Sequence, residues 1–262
     1  MKLHPLLLLP LALIPFPLAS AGEIKTPAVS IAAASDLVFC LPALNDEFRK
    51  IEPAAELKVA TGSSGNFLAQ IKNGAPYDVF LSADLSYPRA LIAAGAAVEK
   101  SLTPYAVGRI VLWTMRPDLD PADLAAIARN PRVKKLAIAN PAHAPYGRAA
   151  QQALEKLGVW AGTQPKLVFG ENIAQTAQFV QTGNADAGIV ALSLVLAPTL
   201  RDVGRWQEIP PSLYSPLEQA AVLTTHGAAN PLAVRYLAFL RTPAARKIFD
   251  RFGFRLPESA AR

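Results

Sequence analysis

The sequence predicts an α/β fold of two interleaved lobes, each a mainly parallel sheet flanked by helices. Three observations carry that prediction. From residue 29 onwards, short β-rich runs alternate with longer stretches of helical spacing. Near the end the pattern changes: a strand-like run, EQAAVLTT (218–225), is followed only by helical sequence. No internal repeat, low-complexity tract or long linker divides the chain into independent units. Repeated β-α-β units with buried strands need helices on both sheet faces. A strand appearing so late returns the chain to its first sheet, so the expected limits are 22–107 plus 213–262 for lobe I and 108–212 for lobe II.

Ahead of these units, MKLHPLLLLPLALIPFPLASAGEIK places Lys2 before an apolar stretch from Leu6 to Leu18 and then Ala19-Ser20-Ala21. That order is a secretory signal, residues 1–21, with cleavage expected after Ala21. The stretch is too short, and too broken by Pro10, Pro15 and Pro17, for a membrane-spanning helix. VSIAAA (29–34) reads as a buried strand, and Leu37, Leu41, Leu44 and Phe48 then recur at helical spacing, with Pro42 kinking or delaying the regular part. ELKVAT (56–61) is a strand, NFLAQIKNG a helix stopping at Gly74, YDVFLSA (77–83) a strand, and Leu85 to Ala94 a helix ending at Gly95. GRIVLWT (108–114), KLAIAN (135–140), KLVFG (166–170) and AGIVAL (187–192) read as strands. The intervening helices fall near 121–129, after Pro145, and from Ile173 to Thr182. After 218–225 the chain is helical, interrupted at Pro243.

Composition narrows the function classes. Hydrophobic residues make up 52% and charged residues 18%, too apolar for a disordered chain. The 26 basic residues are scattered and form no run, so nucleic acid is not an expected partner. Removing residues 1–21 leaves 25 bases against 20 acids, a net charge of +5. Cys40 is alone in the apolar run LVFCLPAL, which reads as a small core residue and excludes a disulfide scaffold. Past residue 21 the only histidines are His143 and His226, each without a nearby carboxylate or second ligand at metal spacing. The GSSG run (62–65) lacks the lysine of a phosphate loop, and Asn66 stands where a nucleophile elbow around Ser64 needs glycine.

Four segments place small polar or glycine-bearing residues where a strand gives way to a helix: AAASDL (Ser35, Asp36), TGSSGN (Ser63, Ser64), NPAHAPYGR (Tyr146, Gly147) and GENIAQ (Asn172, Ile173). A helix start offers free backbone N–H groups and partial positive charge, a site for an anion. Serine there also donates its hydroxyl. Capping alone explains any one such start. Four of them, two from each lobe, point to a ligand in the cleft.

The succession AAASDL, GSSGNFLAQIKNGAPYDVFLSAD, APYG, the GIV strand and the terminal FDRFGF resembles the periplasmic molybdate-binding proteins of ABC transporters, over about residues 29–254. The resemblance implies a class II, two-lobed periplasmic binding protein-like fold with the ligand cleft between the lobes. It implies no catalysis and no cofactor. Molybdenum enters only as the bound oxyanion, molybdate or tungstate. Ser35 and Ser64 map to its hydroxyl and backbone donors, Tyr146 and Ile173 to its backbone N–H donors, and Ser63 to a turn-forming neighbour. Some members bring a tyrosine hydroxyl from the strand G-I-V-Y; Ala191 stands there, so either Tyr146 replaces that donor or the site has one bond fewer. A carboxylate beside a dianion repels it, so Asp36 is expected to offer its backbone N–H and turn its side chain to the helix N-terminus. An Asp36 facing the ligand would instead accept the proton of hydrogenphosphate, the route to a phosphate or sulfate receptor. From another class, a secreted serine hydrolase would use Ser64 with His143 or His226. The implied partners are the permease and, through it, its ATPase, for a monomeric periplasmic protein.

Overall fold

The structure, a computed structural model, describes residues 28–257; the expected secretory segment lies outside them. Lobe I begins with β1 (Ala28–Ala34), α1 (Leu41–Arg49), β2 (Glu56–Gly62), α2 (Ser64–Lys72), β3 (Val79–Ser82), α3 (Ser86–Ala93) and β4 (Thr103–Gly108). The chain crosses at Arg109 into lobe II: β5 (Ile110–Thr114), α4 (Leu124–Arg129), β6 (Leu136–Ala139), α5 (Pro145–Lys156), α6 (Trp160–Thr163), β7 (Leu167–Gly170), α7 (Ile173–Gln181), β8 (Ala187–Ala191), α8 (Leu192–Val195) and β9 (Arg205–Glu208). It then returns to lobe I as β10 (Leu217–Leu223), α9 (Pro231–Phe239) and α10 (Pro243–Arg251).

Each lobe is built on a five-stranded sheet, ordered β2-β1-β3-β10-β4 and β7-β6-β8-β5-β9. Four strands of each sheet run one way. The fifth, β10 in one and β5 in the other, is antiparallel to both neighbours, and both come directly after a crossing. Strand β1 is covered on both faces: Val29, Ile31 and Ala33 join the core that also holds Phe48, Tyr236 and Phe249, while Ala32 faces Phe67, Phe80 and Leu91. That two-sided burial accounts for the continuous apolar run that marks it in sequence.

The helices bury stripes set by their spacing. Phe67 and Ile71 stand four apart on α2 and are both buried on the Phe80 side of the sheet. On α5, Ala149, Ala150, Ala153 and Leu154 form the buried stripe. Alanine keeps that helix close to the sheet, and Gly147 brings its first turn closer still: a Cβ at Gly147 would stand 2.1 Å from the Ala139 carbonyl oxygen at the end of β6. Only glycine permits that approach.

Three details depart from the sequence reading. GRIVLWT is not one strand; it breaks at Arg109 into the end of β4 and the start of β5. The rest of β4 and all of β9 carry no strand pattern because both are sheet edges, one containing Pro104 and the other half exposed. The residues after AAAS form a single 3-10 turn, Ser35–Leu37, and α1 begins only at Leu41 with Pro42 in its first turn. Pro42 delays the helix because its missing N–H is tolerated only there.

Candidate functional site

Six residues singled out in sequence, Ser35, Asp36, Ser63, Ser64, Tyr146 and Ile173, line one small cavity between the lobes. Among the described residues, no lysine or arginine lines it. Ser63 caps α2, its Oγ accepting from Asn66 N–H at 3.3 Å. Ser64 opens the helix, fully buried, and its Oγ accepts from Ala83 N–H at 3.0 Å. Ser35 Oγ accepts from Ala174 N–H across the cleft at 3.4 Å. Ser35 and Ser64 each spend acceptor capacity on a backbone N–H and keep a hydroxyl proton to donate.

Lobe II supplies the other side. Tyr146 lies in the first turn of α5, after Pro145, and Ile173 opens α7, whose cap Asn172 accepts from Gln175 N–H at 3.0 Å. Backbone N–H groups in a helix's first turn have no partner within the helix. Three helix N-termini, those of α2, α5 and α7, therefore meet at one cavity, and their dipoles give it positive potential without a formal charge. The chemistry available is hydrogen-bond donation to a compact anion.

Asp36 departs from expectation. No helix N-terminus follows it within reach, because only the 3-10 turn is there, and its side chain runs instead between the lobes. Oδ2 accepts from Tyr146 Oη at 2.9 Å and from Gln219 Nε2 at 2.6 Å, while Oδ1 is buried without a hydrogen-bond partner. Tyr146 thus spends its hydroxyl proton on Asp36, and its backbone N–H remains for a ligand. Burial pushes the Asp36 carboxyl up to about 6, against the lowering effect of those two hydrogen bonds. Gln219 is held by Tyr105, whose hydroxyl lies 2.9 Å from Gln219 Oε1 and 3.2 Å from the Ser82 carbonyl oxygen. Tyr105 is the extra residue of a bulge, where Gln219 pairs with Ala106 and Ala220 with Pro104. Ser193 Oγ donates to the Asp36 carbonyl at 2.7 Å.

Around the cavity the lobes grip each other. Gly65 N–H donates to the His143 carbonyl at 2.9 Å, and His143 Nδ1 shares a 3.0 Å hydrogen bond with Ser63 Oγ. Asn66 Nδ2 donates to Glu171 Oε1 at 3.1 Å. Arg148 of α5 reaches Asp84 and the Tyr87 hydroxyl of lobe I and lies over the Tyr87 ring. An ion pair this exposed is worth at most about 1 kcal/mol. Arg148→Ala is expected to weaken ligand binding several-fold by loosening the closed form, with a smaller slope of affinity against salt; titration at low and high ionic strength checks it.

A hydrolytic reading finds no support. His143 reaches Ser63 and not Ser64, and His226 approaches only Asp78, at 3.9 Å. Among the described residues no cluster could hold a metal ion. Cys40 is buried, and burial pushes its thiol far above its ordinary range. Ala191 ends β8 fully buried. Sequence reading missed Gln219 and Arg148. The first was visible as an amide just ahead of the apolar run AAVL, the second as a cation one position past the Tyr-Gly pair.

Comparisons with known proteins bear on what such a cavity takes. A model of the family described as bacterial extracellular solute-binding protein matches residues 29–255. The chain is 40% identical over 228 residues to the molybdate-binding protein ModA of Azotobacter vinelandii, covering 87% of this chain and 90% of that one. It is 43% identical over 198 residues to the ModA of Rhodobacter capsulatus, covering 74% and 75%. In structure it resembles the periplasmic molybdate-binding protein of Azotobacter vinelandii, with a TM-score of 0.82 and 33% identity, across 88% of this chain and 100% of the other.

Proposed function

We propose that this chain, which belongs to the bacterial extracellular solute-binding protein family, is the component of an ABC importer that captures molybdate in the periplasm. It is a binding protein and catalyses no reaction. Kinship with the molybdate-binding proteins supports the choice of anion. The observation that carries the binding mode is the meeting of three helix N-termini and two serine hydroxyls, from both lobes, at a cavity without lysine or arginine.

In this reading Ser35 and Ser64 donate hydroxyl hydrogen bonds to the oxyanion and Tyr146 and Ile173 donate backbone N–H bonds. Ser63 caps the helix that presents Ser64, and Asp36 braces the site from behind. Charge-assisted hydrogen bonds of this kind are about twice as strong as neutral ones. Donors alone favour a fully deprotonated dianion, and tungstate, a tetrahedral dianion like molybdate, fits the same lining. Since donors come from lobe I (22–107 plus 213–262) and lobe II (108–212) together, the anion binds the closed form more tightly than the open one. A monomer in the closed form then docks on the permease and reaches the ATPase through it.

The test is a thermal-shift and calorimetric series on the mature protein with molybdate, tungstate, sulfate and phosphate. An anion at a thousandfold its Kd stabilises by about 4 kcal/mol. Molybdate and tungstate are expected to do so at micromolar or lower Kd, and sulfate and phosphate to fall well short. Equal stabilisation by sulfate or phosphate would overturn the selectivity.

A further inference from the structure

The binding scheme gives the Asp36 carboxyl nothing to do towards the anion, yet it is only 1% exposed and lines the same cavity. It sits in lobe I, while Tyr146, one of its two donors, sits in lobe II, and Gln219, the other, sits on the strand that returns from the crossing. Opening the lobes parts Asp36 from Tyr146 and returns the carboxyl to water. Closing buries it beside an incoming dianion. Both donors go to Oδ2, and Oδ1 is left buried with no partner.

We propose that closing the lobes on the oxyanion takes up one proton at Asp36 Oδ1, so that the protein binds its dianion together with H⁺. The inference rests on the oxyanion reading above. The proton comes from solvent and returns to it when the lobes open. Protonated, Asp36 is a donor in a lining that otherwise only donates, and the cleft no longer sets a carboxylate against a dianion. The hydrogen bonds of Ser35 and its neighbours go to the oxygens of the anion, so the neighbouring carboxyl is no ligand of the metal atom.

Among the described residues, the groups packed against Asp36 supply no cation to keep it ionised. Tyr146 of α5 and Tyr105 of β4 are held protonated by burial. Cys40, in the turn before α1, is held as the thiol by burial, with Asp36 adding to that effect and Arg251 of α10 opposing it. Gln219 and Ser193 are uncharged. Asp36 itself is moved by burial and by its hydrogen bonds alone. Its carboxyl, ordinary at 3.8 when exposed, rises to about 6 in the closed form. A group raised on closure favours the closed form fully below 3.8, and the advantage is lost as pH rises through about 6. Affinity is therefore expected to rise about tenfold from about pH 8 to about pH 5.

Calorimetric titration with molybdate at those two pH values measures this, with buffers of different ionisation heat near pH 6 to count protons. Expected are a tenfold tighter Kd at the lower pH and uptake of roughly half a proton per anion near pH 6. Asp36→Asn is expected to bind at the higher pH at least as tightly as the parent and to show neither slope nor uptake. His143→Gln, a substitution elsewhere on the lobe junction, keeps both. A flat Kd or no proton uptake in the parent overturns the proposal even if no variant folds. So does a slope that survives Asp36→Asn, which would belong to the anion's own protonation, or one lost in His143→Gln. Molybdate binding without proton linkage overturns this inference alone; no molybdate binding at either pH overturns the receptor reading with it.

Discussion

Gly65→Ala is expected to weaken molybdate binding by roughly 1–3 kcal/mol, about 5- to 150-fold in Kd, while the anion-free protein unfolds at the same or a slightly higher temperature. Gly65 lies in the first turn of α2, and its N–H donates across the cleft to His143. A Cβ at this position would stand 2.7 Å from the His143 carbonyl oxygen and 2.8 Å from its Cβ. That contact exists only when the lobes are together, so the clash falls on the closed form. In the open form the methyl meets solvent, and alanine favours the helix over glycine by up to about 1 kcal/mol. Paired measurement of Kd and of anion-free unfolding temperature separates the two. A lowered unfolding temperature with unchanged Kd would show that Gly65 serves α2 and not closure.

Ser64→Ala is expected to cost about 1.5–3 kcal/mol of binding, roughly 10- to 150-fold, the worth of a hydrogen bond to a charged group. Unlike the glycine change it also lowers stability without anion. Ala83 N–H, buried, loses the Ser64 Oγ that accepts from it, at about 1–3 kcal/mol. Ser35→Ala is expected to match the binding loss with little change in anion-free stability, because its protein bond is the long one across the cleft to Ala174. Ser63→Ala inverts the pattern: a lost cap costs about 1 kcal/mol of stability, with a smaller effect on Kd. Titration calorimetry and unfolding curves on the three variants check the set. Unchanged affinity in both Ser35→Ala and Ser64→Ala would sink the assignment of donors.

What was legible in the sequence was local. The helix starts at Ser64, Tyr146 and Ile173 announce themselves within a few residues, through a strand run, small polar residues and a helical stripe, and the fold carries all three to one cavity. The buried strands were equally plain, because cover on both faces leaves them mostly apolar. What escaped depends on distant pairing or on edges. Nothing near Asp36 tells that its carboxyl is held by Gln219, 183 positions along the chain, and by Tyr146, 110 along. Strands β4 and β9 each stand at the end of a sheet with one neighbouring strand, so their composition is free to include proline or charge. Pro42 announced a kink or a delay in α1, and the structure shows the delay; the shortness of the turn holding Asp36 was not legible, and with it went the expected path of that side chain.

The two crossings also set an order of assembly. Lobe II draws its sheet from one unbroken stretch, β5 to β9, whereas in lobe I β10 fits between β3 and β4 and pairs Leu217 with Gly108. Closing so long a loop costs chain entropy before any pairing repays it. Until the late strand arrives, β3 has an open edge and β4 has no neighbour, the condition in which strands pair with the wrong chain. A polypeptide that emerges amino end first therefore makes the beginning of its first lobe early and completes it almost last, with the second lobe's folding speed deciding how long that edge stays bare.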